Sequence, residues 1–215
     1  MINTDIQLEK KLWDEGFKYI VGLDEAGRGP WAGPVVAGAV LVLQDHIPEI
    51  AVTDSKKMTE TRRLIAYEKI INSSYHKWGV GVVEPSVIDT LGINAAIRIA
   101  MESAVKGIET EINKLVEYLL IDGQNVQSIP LYKQYKVNKG DGLHYSIAAA
   151  SIIAKVTRDR IMEEYTQKYP EFRFDKHKGY GTKQHQEELK QHGVTAIHRK
   201  TYAPISDILK HQDSQ

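Results

Sequence analysis

The sequence predicts an α/β fold: a central β-sheet flanked by helices, followed by a C-terminal helical portion. Three observations predict it. Short runs of β-forming residues alternate with stretches of helical periodicity up to about residue 145. The run VVAGAVLVL, Val35 to Leu43, is apolar without a break, as a strand covered on both faces should be. Beyond it the chain returns to helical patterns, and from Tyr145 onward only those remain. The order of the strands is not readable from this pattern.

Taken in order, Thr4 to Glu15 reads as a short helix stopped by Gly16. Tyr19 to Leu23 is a strand running into Asp24, and a Gly/Pro-rich turn separates it from the strand that starts at Val35. A helix is expected over Thr59–Asn72 and a strand over Tyr75–Val83, where Val80, Val82 and Val83 favour extended backbone. Ile93, Ile97, Ala100, Met101, Ala104, Val105 and Ile108 recur at helical spacing. YLLID, Tyr118 to Asp122, is a strand ended by Gly123, and another follows over Tyr132–Val137. A long helix should run from Tyr145 to Tyr169, before Pro170, and a last one from Lys183 to His192 with Gly193 as its stop.

Composition narrows the function classes. Lys+Arg and Asp+Glu both number 28, so overall charge gives no hint of a nucleic-acid partner, and any basic surface must be local. With no cysteine, thiolate metal sites, disulfides and a cysteine nucleophile are excluded. No apolar run approaches the roughly 18 residues that span a bilayer, and the charged N-terminus lacks a signal-peptide core, so a cytoplasmic protein with no membrane association is expected. The chain length suits one substantial core. Residues 1–170 are expected to form the main domain, with 171–215 as a helical extension packed on it.

The acidic residues carry the chemistry. Asp24 and Asp122 each lie where an apolar strand ends, and ligand sites in α/β proteins gather outside the carboxyl ends of strands. Two carboxylates 4 Å apart repel by roughly 4 kcal/mol at an effective dielectric of about 20, and a cation between them removes that cost. Oxygen ligands without Cys favour Mg²⁺ or Mn²⁺ over Zn²⁺. Glu25 is adjacent to Asp24 and in a regular strand would point to the opposite face, so the two share a site only if the strand breaks at Asp24. Asp141 lies in a turn-rich segment before the long helix. Each Asp taken singly reads more readily as a cap or a turn former, and it is Asp24 and Asp122 together, with Glu25 and Asp141 available, that favour a shared site.

Six blocks turn this generic pattern into a specific one. They are GLDEAGRGPWAGPVVAGAV from Gly22, DSKKMTETRR from Asp54, LIDG from Leu120, KGDGLHYSIAAASIIAKVTRDR from Lys139, HKGYGTKQH from His177, and the pair His198-Arg199. In this order, over about residues 19 to 203, they resemble the ribonuclease HII family, the type 2 ribonucleases H. The resemblance implies a ribonuclease H-like fold with a mixed central sheet. It implies that Asp24, Glu25, Asp122 and Asp141 hold two divalent metals, Mg²⁺ or Mn²⁺, and that these carry phosphodiester hydrolysis.

The same resemblance implies that Gly27-Arg28-Gly29 reads the 2′-hydroxyls of RNA through its backbone. Tyr180 would stack on the sugar of the deoxynucleotide after the ribonucleotide, and Lys56 would lie near the scissile phosphate. Asn94, Lys155 and Arg158 are weaker candidates for contacting nucleic acid or supporting the site; without the family, Arg28, Lys155 and Arg158 read as solvated charges and Tyr180 as packing. Ser146 and Ser151 read as packing or capping residues. The implied substrates are RNA–DNA hybrids and duplex DNA with embedded ribonucleotides, cut 5′ to the ribonucleotide to leave 3′-hydroxyl and 5′-phosphate ends, as in ribonucleotide excision repair.

No obligate protein partner is implied, and the tail ISDILKHQDSQ lacks the aromatic pair that docks to sliding clamps. From Arg173 onward, eight Lys/Arg face five Asp/Glu, which allows a modest basic surface for a duplex backbone. Five of the eight histidines also lie there, without the tight spacing of a metal site. Ribonuclease HIII is the nearest rival; it typically carries an extra N-terminal domain and a different residue at the position of Arg28. An inactive nucleic-acid-binding module is disfavoured because all four acidic positions are filled. A two-carboxylate glycosidase would leave the Gly27–Gly29 turn without a role.

Overall fold

The computed structural model describes residues 4–44, 50–124 and 126–212. Its strands are β1 (Ile20–Ala26), β2 (Val35–Val42), β3 (His76–Val83), β4 (Tyr118–Asp122) and β5 (Lys133–Val137). They form one mixed sheet in the order β3-β2-β1-β4-β5. The first three strands are antiparallel neighbours, and β4 and β5 extend the sheet in parallel with β1.

Two helices cover the sheet. On one face lies α5 (Tyr145–Lys168), with α1 (Gln7–Asp14) and α2 (Glu60–Ile71) beside it. On the other lies α4 (Ile93–Ile112), preceded by the short α3 (Pro85–Leu91). The alternation of side chains along β2 feeds both cores: Val40 and Val42 join the first, Val35, Ala37, Ala39 and Leu41 the second. Every residue of β2 is buried, as its unbroken apolar run requires.

Glycine sets how closely the helices approach. A side chain at Gly38 would run into the Ala150 carbonyl of α5, and one at Gly81 into the Ala100 carbonyl of α4. The backbones therefore touch, and the sheet is clamped near its centre.

Three short helices finish the chain: α6 (Phe174–His177), α7 (Lys183–His192) and α8 (Ile205–Gln212). They build a third apolar cluster around Phe172, Phe174, Leu189, Ile197 and Ile205, which also takes in Met162 of α5 and Ala32 of the β1–β2 connection.

Several boundaries differ from the sequence expectation. The first helix begins at Gln7 rather than Thr4, because Asp5 forms a bridge with His144 and its carbonyl accepts the Tyr145 amide. The strand expected to stop at Asp24 continues through Glu25 and Ala26, which pair with Ala37 and Val36 of β2. The α3 and α6 segments are too short to show a helical period, and α8 is a further helix whose Ile205, Ile208 and Leu209 fall at helical spacing and pack in the third cluster. The tail's last three residues lie outside the described ones. Among the described residues no helix is long and apolar enough to cross a membrane.

Candidate active site

The parallel pairing of β1 with β4 builds the site. Leu23 is in register with Ile121, so the next residue on each strand, Asp24 and Asp122, emerges at the same level. Asp141 joins them from a 3₁₀ turn, Gly140–Gly142, just before α5. That turn is tied to β4, because the Gly140 amide donates to Asp122 Oδ1 at 2.6 Å. One carboxylate oxygen from each of Asp24, Asp122 and Asp141 lies within 4.8 Å of the others.

The surroundings are poor in compensating charge. Asp24 is 4% exposed. Burial, then the charges of Glu25 and Asp122, pushes its carboxyl well above the ordinary range, while a hydrogen bond with Ser151 pulls the other way. Asp141 is pushed up to about 6 by burial, by Asp122 and by Asp54. Lys56 is the facing cation: burial alone would lower its pKa, yet Asp24, Asp141, Asp54 and Asp122 together raise it.

Glu25 occupies a different position from the three aspartates. Burial raises its carboxyl, and Arg28 counters the shift. The Arg28 Nε donates to Glu25 Oε1 at 3.1 Å, and its Nη1 donates to Asn94 Oδ1 at 2.8 Å. The side chain of Arg28 thus links the end of β1 to the first turn of α4. Because β1 does not break at Asp24, Glu25 neighbours the aspartates through its charge, and it is not one of the three that converge.

Glu25, Gly27, Arg28, Gly29, Lys56 and Tyr180 line one cavity of about 230 Å³, together with Ser55, Lys155 and Arg158. Gly27 is there of necessity: its φ is +99°, and a side chain would collide with Arg158 and the Pro34 carbonyl. Gly29 is different, with nothing within 4 Å of where a side chain would start. Tyr180 is 44% exposed, so it is not a packing residue.

Two buried arginines hold this loop, and the reading of Arg158 as a solvated charge is corrected. Arg158 donates to the carbonyls of Pro34, Ala32 and Lys178 at 2.9–3.1 Å. Arg199 donates to the carbonyls of Arg28 and Gly33 at 3.0–3.1 Å and also reaches those of Gly27 and Pro34. Burial lowers both guanidinium pKa values, Arg158 to about 10 with Arg199 nearby as a second cause.

Sequence reasoning missed three supports. Ser151 was expected only to pack or cap, and its hydroxyl bonds both to Asp24 and, at 2.9 Å, to Ser55. Asp54 sits against Asp141. Arg199 was recognised only as half of a motif. Their signal lay in the DSKK, AAAS and HR blocks, but spacing along the chain could not say which atoms meet. Lys155 lines the cavity while paired with Asp159 at 2.7 Å.

Comparisons with known proteins agree with this geometry. The family model described as Ribonuclease HII matches residues 21–205. The ribonuclease HII of Leuconostoc mesenteroides is 47% identical over 202 residues, 94% of this chain and 77% of that protein. Among solved structures, the ribonuclease H2 of Pyrococcus horikoshii superposes with a TM-score of 0.70 at 26% identity, covering 91% of this chain and 99% of that one. The Archaeoglobus fulgidus ribonuclease HII, solved as a complex with PCNA, gives a TM-score of 0.68 at 26% identity, covering 86% and 95%. The strand register, the converging carboxylates and a family match over most of the chain lead to one conclusion: this protein belongs to the ribonuclease HII family and is a nuclease of the hydrolase class.

Proposed function

We propose that the enzyme hydrolyses the RNA strand of RNA–DNA hybrids and cuts 5′ to ribonucleotides embedded in duplex DNA, leaving 3′-hydroxyl and 5′-phosphate ends. The observation that carries this reading is the convergence of Asp24, Asp122 and Asp141 beside the Gly27–Gly29 turn.

The site suits hard divalent cations, Mg²⁺ or Mn²⁺. The converging donors are all carboxylate oxygens, and burial, with the neighbouring carboxylates adding to it, raises the pKa values of Asp24 and Asp141, a cost that a bound cation would offset. Asp24, Asp122 and Asp141, with Glu25 beside them, would hold two ions. When bound, the ions supply an activated water and neutralise charge on the phosphorane and the departing 3′ oxygen. Lys56 adds a fixed positive charge on the side where the scissile phosphate would lie.

Substrate choice rests on the cavity. Backbone groups of Gly27, Arg28 and Gly29 bond the 2′-hydroxyl, the open space at Gly29 leaves room for a sugar, and Tyr180 stacks on the next deoxyribose. A site built to bond a hydroxyl rejects a ligand lacking it by about 10⁴–10⁵-fold. Asn94 acts through Arg28, whose orientation it fixes. Lys155 and Arg158 support the cavity wall.

Digestion of a duplex with one ribonucleotide, in Mg²⁺, Mn²⁺ or EDTA, tests the reading through the product ends. A 5′-side cut lost in EDTA is expected. A cut on the 3′ side, or cleavage indifferent to EDTA, would overturn it. Failure on the single ribonucleotide with retained cleavage of long hybrids would favour ribonuclease HIII chemistry instead.

A further inference from the structure

We infer that His185 and His198 are positioning residues for Tyr180, joined in a one-directional chain of hydrogen bonds that ends on its backbone. The inference rests on the assignment of Tyr180 to the substrate cavity.

Three histidines, scattered over 22 positions of sequence, meet in the third apolar cluster. His177, His185 and His198 are all buried. His177 and His185 stack with centroids 4.3 Å apart, and Phe172 and Phe174 pack on the rings of His185 and His198 at 5.2–6.0 Å.

The partners dictate where each proton sits. The Tyr180 carbonyl, 3.0 Å from His185 Nδ1, can only accept, so His185 carries its proton on Nδ1 and its Nε2 is a bare acceptor. His198 Nε2 lies 3.0 Å from that acceptor and therefore donates. His198 Nδ1 must then accept, and it does, from the Thr195 amide at 2.9 Å and the Thr195 hydroxyl at 2.8 Å. Both rings are neutral, and no proton is left over.

His177 completes the clamp from the other side. Its Nδ1 accepts the Gly179 amide at 3.2 Å, so its Nε2 donates to Glu188 at 2.9 Å. Glu188 also accepts the Arg173 amide. The Tyr180 amide itself donates to the His177 carbonyl at 2.8 Å, so Tyr180 is held at the peptide on each side of its Cα, while its ring, with the Arg158 guanidinium 5.9 Å from the centroid, faces the cavity. Burial keeps the imidazoles neutral, with His185 lowered to about 4 and His198 to about 3.

The chain predicts specific tautomers. Side-chain ¹⁵N NMR of the wild-type protein at pH 7 should find His185 protonated on Nδ1 and His198 on Nε2. The reverse tautomer at His185 would overturn the inference without any variant being made.

A double-mutant cycle then reads the consequence. His185→Phe keeps a ring and removes the donor, and should lower kcat/KM on the single-ribonucleotide duplex about tenfold, yet less than about twofold in a Tyr180→Ala background. His198→Gln keeps a donor near the Nε2 position and should stay within about threefold of wild type, whereas His198→Leu should behave like His185→Phe. If Tyr180→Ala cleaves as well as wild type, the role of Tyr180 falls and this inference with it. If Tyr180→Ala is impaired but His185→Phe multiplies in full upon it, the inference alone fails. Equal loss for His198→Gln and His198→Leu also refutes it.

Discussion

At Asp122 the proposed chemistry and the stability of the fold pull in opposite directions. It lies beside two carboxyls held above their ordinary pKa, so at neutral pH the metal-free site stores repulsion. Asp122→Asn removes one charge and keeps the acceptor for the Gly140 amide. The expected outcome is a melting temperature about 2–4 °C higher in EDTA, the shift that about 1 kcal/mol produces in a chain of this size. Metal-dependent cleavage should fall more than about 100-fold, beyond the loss usual for an outer-shell partner. Calorimetry and a cleavage assay on the same preparation check both signs. Asp141 adds a pH prediction. Its carboxyl, raised to about 6, takes up a proton as pH falls and then no longer ligates, so at sub-saturating Mg²⁺ the rate should drop below about pH 6. A rate that stays level down to pH 5 would contradict it.

At the scale of elements, the site is a product of register and of braces. Asp24, Asp122 and Asp141, which the structure brings together, could be named from the motifs, and the strand ends could be placed within a residue or two. The antiparallel β1–β2 pairing that carries β1 past Asp24 could not, because nothing in GLDEAGRG marks where pairing with β2 ends. Nor could the role of Arg199, since its meaning depends on four carbonyls more than 160 residues away. A lysine has one ammonium in place of a planar fork and cannot reproduce that set. Arg199→Lys should therefore cost about 2 kcal/mol, the worth of one or two charge-assisted bonds, and lower the melting temperature by about 4–8 °C. Cleavage should fall with it because the Gly27–Gly29 turn loosens. Gly38→Ala probes the other element-level constraint: forcing α5 off β2 should cost about 1–3 kcal/mol, measurable by urea unfolding.

Over the whole molecule, two titrating clusters oppose each other. The histidines fold with pKa values below the ordinary 6.5, so the stability they contribute is present above that pH and is lost as pH falls towards about 4. His177, lowered by burial against the pull of Glu188 and Asp175, acts in the same sense. Asp141 is raised to about 6 and Asp24 is raised well above the ordinary range, so in EDTA both add stability as pH falls and they take up protons, Asp141 as pH passes through about 6. Melting temperature between pH 7 and 5 should therefore change little in EDTA and decline in saturating Mg²⁺, where the carboxylates are occupied. Parallel curves in the two conditions would disprove the opposition. The alternation of strands and helices was readable as α/β, whereas the pooling of the histidines was not, because their spacing of 8 and 13 residues follows no helical face. We also propose that residues 171–215 work as a brace of the 1–170 domain, since their apolar cluster is completed by Ala32 and Met162.

The bonds from Arg199 to the turn at Arg28 close a loop of 171 residues. At about 5–20 residues per second, a ribosome needs roughly 10–30 s between making the two ends of that contact. Throughout this interval the emerging polypeptide already carries the Gly27–Gly29 turn, yet lacks the guanidinium that braces it. The first turn after β1 is therefore braced only once residue 199 has been made and folded back onto it.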